Sequence, residues 1–212
     1  GLRGDHEAAL ETLRKLREVR PGFVPAKIVE AEVQRLLGRE EEASALEESA
    51  AAAAEAAAPW VRFWLEARGA ERDGRWTEAV NAYGQLVDST AAGEPPYEGF
   101  LMETRLRRGL AHLEAKELAA AAADFAVARH EWPEAMEPRL LLGRTLHLQG
   151  SKGEAEKIFL DLYESQPAHG RDLAAAWVVL TYSYEEIWQG ALEWAGRLGQ
   201  EVVRDRTRAF YL

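Results

Sequence analysis

LLLGRTLHLQGSKGEAEKIFLDLYESQP, residues 140–167, sets a glycine inside a leucine-rich run that otherwise reads as helix. Glycine costs roughly 1 kcal/mol in a helix interior relative to alanine, so Gly143 needs a reason. Leu140, Leu141, Leu142, Leu146 and Leu148 give the run a broad apolar side, and Gly150 stands where a helix C-terminus takes a left-handed residue. Ser151, with Glu154 three residues later, reads as an S-x-x-E capping box for a second helix. Ala155, Ile158, Phe159 and Leu162 recur at helical spacing along one face of it, and Pro167 prevents its continuation. A turn this short makes the two helices antiparallel neighbours. Small residues at facing positions, Gly143 on one and Ala155 on the other, let the backbones approach, and that packing offsets the propensity cost.

The same landmarks recur upstream. Gly109, Ala121, Phe125 and Pro133 each lie 34 residues before Gly143, Ala155, Phe159 and Pro167. Gly4, Gly38, Gly74, Lys116 and Gly150 occupy one column, with spacings of 34, 36, 42 and 34, and Ala9, Ala43, Ala79, Ala121 and Ala155 repeat those spacings in another. Leu13, Tyr83, Phe125 and Phe159 follow their alanines by four residues, with Glu47 as the exception. The facing small pairs elsewhere are Ala31 with Ala43, Ala67 with Ala79, and Gly109 with Ala121.

A unit of two helices at this period, with L-G, A-x3-F and a closing proline, resembles the tetratricopeptide repeat (TPR) family, whose signature is W-x2-L-G-x2-Y, then A-x3-F, then P. The resemblance covers about residues 4–167 and is strongest over the last two units. It implies an all-α fold, a right-handed superhelical solenoid of antiparallel helix pairs with about eleven helices. The expected organisation is one TPR-like array over 1–212, with the second helix of a truncated first unit at 4–21. Repeat units follow at 24–58, 59–91, 102–135 and 136–169, and 170–212 holds degenerate C-terminal helices rich in Trp177, Tyr182, Trp188 and Trp194. The long interval is read as a surface loop inserted at 90–99, where Gly93, Pro95 and Pro96 cluster, with a partner-contacting loop as the alternative. A first element that is a second helix, in a chain beginning without methionine, is expected to come from a longer array.

Composition excludes several functions. A net charge of −10 argues against a nucleic-acid partner, which needs a clustered basic face. No cysteine is present for thiolate chemistry or Cys-ligated zinc, and His6, His112, His130, His147 and His169 form no i, i+4 metal pair. Gly150-Ser151-Lys152-Gly153 lacks the order of a phosphate-binding loop and follows a helix, so it reads as a repeat turn. The longest uncharged apolar stretch, Leu173–Tyr184, is too short for a membrane span of roughly 20 residues. The glutamates Glu40, Glu41, Glu42, Glu47 and Glu48 read as a solvated helix face. The chain is therefore expected not to be an enzyme and to need no cofactor or metal. Its Ala-, Arg- and Glu-rich composition hints at a bacterial origin, and its hydrophobic and charged fractions of 47% and 29% are those of a soluble globular protein; the compartment, cytoplasm or periplasm, stays open.

The family resemblance implies an interaction scaffold that holds a protein or peptide partner in a concave groove lined by first helices, with self-association through exposed array ends as a further expectation. The rival reading is a regulatory module of a larger kinase, transcription regulator or secretion-complex component. Ligand-facing positions of the family, carried over by frame, give Val61, Trp64, Arg68 and Arg72 in one unit. They give Glu103, Leu106, Leu110 and Leu113 in the next, Glu137, Leu140, Arg144 and His147 in the one after, and Val178, Thr181 and Tyr182 in the last. The expected partner-binding residues are Trp64, Arg68, Leu106, Leu110, Leu140, Arg144, His147 and Tyr182. The family's carboxylate clamp uses lysines and asparagines, whereas the fifth positions here are Ile28, Trp64, Leu106, Leu140 and Ala174, so a clamp of that type is not expected. Arg68 and Arg144 are the candidates for engaging an acidic group; their alternative is pairing with Glu71 and Glu137. Trp64 is read either as a groove anchor or as packing between units.

Overall fold

A computed structural model describes residues 2–54, 59–91, 99–166, 168–184 and 188–196. Among these residues there are eleven α-helices and no strand. In chain order they are α1 (Leu2–Val19), α2 (Val24–Leu36), α3 (Glu40–Ala54), α4 (Pro59–Arg72), α5 (Trp76–Ala91) and α6 (Phe100–Glu114). The rest are α7 (Leu118–Glu131), α8 (Met136–Leu148), α9 (Lys152–Ser165), α10 (Ala168–Tyr184) and α11 (Trp188–Ala195). Contacts divide the chain into two compact units, Gly1–Thr104 and Arg105–Leu212. Most of the expected 90–99 insertion, the end of the alanine-rich run at 55–58, Pro167 and the stretch 197–212 lie outside the described residues.

The four turns expected from the glycine column are built alike. Gly38, Gly74 and Gly150 have φ of 76°, 70° and 85°, and Lys116 takes the same left-handed conformation at 64°. In each, the left-handed residue donates three residues back and its successor donates five back: Gly150 N–H to the His147 carbonyl and Ser151 N–H to the Leu146 carbonyl, both 2.9 Å. That paired bond satisfies the last carbonyls of the first helix and reverses the chain within two residues. Lys116 adopts this conformation against its side chain, at a cost of roughly 1–2 kcal/mol relative to an ordinary helical residue. The capping box expected at Ser151 is not formed: its side chain makes no cap bond, and Ser151 contributes its carbonyl to Glu154 and Ala155 N–H instead. Its ψ of 54° lies outside the extended region that aims a capping hydroxyl at the first turn.

Apolar spacing explains which face each second helix buries. In α5, Ala79, Ala82, Tyr83, Leu86 and Val87 are all buried, and in α9 Ala155, Phe159 and Leu162 are fully so. The glycine of the first helix turns out to face more than the alanine column. A Cβ on Gly143 would stand 2.4 Å from Cε1 of Phe159, and one on Gly109 the same distance from Cε1 of Phe125. Glycine therefore makes room for the aromatic ring one turn beyond the alanine. Where that ring is absent or replaced by tyrosine, the first helix carries Ala31 or Ala67 instead.

Glu47, which stands in the ring's place, is not on a solvated face. Arg35 from α2 and Arg72 from α4 each grip its carboxylate with two hydrogen bonds of 2.7–3.1 Å. Polar ties join other helices. The buried Glu30 accepts from Arg17 at 2.6 Å, fastening α1 to α2, and Arg108 of α6 holds the buried Asp124 of α7 with a two-pronged contact. In the second unit, Ala155, Phe159, Ala175, Val178, Tyr182, Ala191 and Trp194 form one core cluster, with Leu140, Leu146 and Tyr163 packed against it.

Candidate partner-binding site

In the first unit the two expected site residues serve the fold. Trp64 is 3% exposed and lies stacked on Phe100, ring centroids 5.1 Å apart, while Trp60 meets the same ring edge-on at 5.3 Å. This is the packing alternative, so its indole is not offered to a partner here. Arg68 donates Nε to Glu32 of the preceding unit and Nη1 to Glu71. Burial disfavours its charge, but Glu32, Tyr83 and Glu71 outweigh that and hold the guanidinium above its ordinary range. Tyr83 adds a 2.6 Å hydrogen bond to Glu71, so Arg68 belongs to a ladder that bridges successive repeats.

In the second unit the expected residues separate. Leu106 is buried and Leu110 is half-buried along α6. Tyr182 is 5% exposed; its hydroxyl donates to Glu156 at 3.3 Å, an oxygen that Trp194 Nε1 also reaches at 3.3 Å. Burial and the Glu156 carboxylate both push the Tyr182 phenol upward, so it stays neutral. His147 meets Tyr182 edge-on at 5.2 Å, which places it against this aromatic cluster. Phe159 and Trp194 close the cluster at 6.2 Å. Tyr182 and Val178 are thus core residues, in contrast to the inward-facing positions assigned to them by frame.

Leu140 and Arg144 do come together. With Met136, Glu137 and Leu141 they form the α8 wall of an open depression of about 800 Å³, and Trp177, Leu180, Thr181 and Ser183 of α10 form the other. Trp177 is 44% exposed, large for a tryptophan in an otherwise packed helix. The Thr181 hydroxyl bonds back to the Trp177 carbonyl at 2.9 Å. Leu140 has a double role, lining the depression above and packing against the core below. The floor and walls are mostly apolar, with Glu137 and Arg144 two turns apart on the α8 side. Such a surface can take apolar side chains and orient them with one charge of each sign; it has no nucleophile–base pair.

No protein-family model and no curated protein matches the chain. Solved structures do. YrrB, a TPR protein with an unusual peptide-binding site, is 17% identical over 95% of this chain and 97% of its own, with a TM-score of 0.53. PilW, a widely conserved type IV pilus biogenesis factor, is 18% identical over 97% of this chain and 89% of its own, with a TM-score of 0.62. Pseudomonas aeruginosa pilF is 17% identical over 96% of this chain and 85% of its own, with a TM-score of 0.59. The chain has the TPR fold.

Within a TPR frame the residues that sequence reasoning missed become intelligible. Trp177 and Leu180 each lie one position before the transferred Val178 and Thr181, because the last helix pair has lost the alanine column that sets the register. The signal available in the sequence was their spacing. Trp177, Leu180, Thr181 and Tyr184 share a 3- and 4-residue period distinct from that of Ala174, Val178 and Tyr182. Among the described residues no helix is long and apolar enough to cross a membrane.

Proposed function

We propose that this chain is a non-enzymatic interaction module that holds an apolar segment of a protein or peptide partner in the depression between α8 and α10. The observation that carries this reading is an apolar depression of about 800 Å³ with a half-exposed tryptophan on its wall, on the first-helix side of two successive repeats. A volume of this size suits a few large side chains, and an exposed tryptophan in a concave setting is the residue type that dominates binding energy at interfaces. YrrB supports the reading by analogy of fold, as a TPR protein with a peptide-binding site. Leu140, Arg144 and Trp177 are the residues assigned to contact, with Arg144 and Glu137 setting the orientation of the bound segment.

A peptide-display selection against the purified chain tests this, with the Leu140→Ser, Trp177→Ala variant for counter-selection. The enriched peptides should carry aromatic or branched aliphatic residues and bind the variant at least about tenfold more weakly, the scale of losing a hot-spot contact. Selected peptides that bind both proteins equally would move the site elsewhere.

A further inference from the structure

A different face of α8 carries a second, cationic site, visible through the repeat symmetry. Arg105 and Arg139 occupy the same position in successive units, 34 residues apart, as do Glu131 and Ser165. In the earlier unit, Arg105 Nε lies 3.4 Å from the Glu131 carboxylate. In the later one the partner position is a serine, and Arg139 Nη1 donates to Ser165 Oγ at 2.7 Å. Its Nη2 donates to the Pro133 carbonyl, and its Nε is buried without an acceptor. The buried Nε without an acceptor is common to both arginines, and what differs is that a serine hydroxyl stands where the earlier unit has a carboxylate.

That charge opens onto a cleft. Ala126, Arg129, His130, Pro133 and Arg139 line a space of about 480 Å³ where the end of α7 turns into α8. Arg129 reaches Asp161 at 3.4 Å, and among the described residues no carboxylate pairs with His130 or Arg139. The acidic Glu134 of the same turn is exposed. Two arginines and a histidine thus converge in a chain whose net charge is −10. A guanidinium whose hydrogen bonds go to a serine hydroxyl and a carbonyl, both neutral, retains its attraction for an external anion.

We propose that this cleft binds a carboxylate of an acidic peptide segment, with Arg139 as the anchoring cation and Arg129 and His130 beside it. The site is separate from the apolar depression and does not depend on it.

The test exploits the repeat itself. Ser165→Glu rebuilds the internal pair of the preceding unit, so it satisfies Arg139 without disturbing the fold. Calorimetric titrations at low ionic strength would compare a short capped oligoglutamate peptide, its oligoglutamine counterpart and inorganic phosphate. The wild-type chain should bind oligoglutamate and not oligoglutamine. Ser165→Glu and Arg139→Gln should each weaken that binding by about tenfold or more. Arg62→Gln, at an exposed arginine of α4, should leave it unchanged. A folded Ser165→Glu protein that binds oligoglutamate as well as wild type overturns the proposal. So does binding of phosphate, sensitive to Arg139→Gln, without binding of the peptide.

Discussion

Phe159 and the glycine beneath it show how one side chain sets the distance between two helices. The ring is fully buried and meets Tyr182 edge-on at 5.4 Å, so it has no free direction in which to yield. Gly143→Ala would raise helix propensity by about 1 kcal/mol. It would also drive a Cβ to 2.4 Å from that ring, and overpacking of this kind costs about 1–3 kcal/mol. The expected outcome is a net loss of stability in urea denaturation. In a Phe159→Leu background the ring edge is gone, and the same Gly143→Ala change should be neutral or stabilising. Equal effects of Gly143→Ala in both backgrounds would show that the ring does not explain the glycine. The facing alanine of the sequence reading is the weaker half of the explanation, because a bare repeat pattern reports which columns are small and not which neighbour occupies the space.

At the scale of the element, the α2–α3 pair solves the same packing problem with charge. Its second helix has Glu47 where the other pairs have an aromatic ring, and two guanidinium forks from flanking first helices fill the gap. Burial raises the Glu47 carboxyl, but Arg35 and Arg72 together outweigh it and hold the group below its ordinary value. A carboxyl depressed in the folded state adds stability that is fully present above the unfolded value near pH 4.3 and is lost as pH falls through the folded value. Glu47 keeps a side-chain exposure of 20%, so the gain is screened, and Glu47→Gln should cost about 1 kcal/mol at neutral pH. The urea midpoints of the two proteins should converge as the pH is lowered below about 4. A gap that stays constant into acid would mean the carboxylate charge contributes nothing.

Across the molecule, what could be read in advance followed the strength of the period. The turns at Gly38, Gly74, Lys116 and Gly150 were legible because each is a local necessity of reversing the chain in two residues, even where lysine replaces glycine. The α8 wall of the depression was legible for the same reason, since Glu137, Leu140 and Arg144 sit in a unit with all its landmarks. Of the α10 wall only Thr181 was, and the frame puts Trp64 and Tyr182 at groove-facing positions because it cannot see a neighbouring Phe100 or Glu156. Stacked repeats contact only their neighbours, so stability in such an array is a sum of local and nearest-neighbour terms. Phe159→Leu should therefore act locally, at a cost of about 1–2 kcal/mol. In native-state hydrogen exchange, amides of α8 to α11 should lose protection by about tenfold, the factor that corresponds to 1.4 kcal/mol. Amides of α2 to α5, four or more helices away in the chain, should exchange as in the wild type. Loss of protection by the same factor in α2 to α5 would show that the chain opens as one cooperative body, and that nearest-neighbour packing does not bound the effect of a mutation.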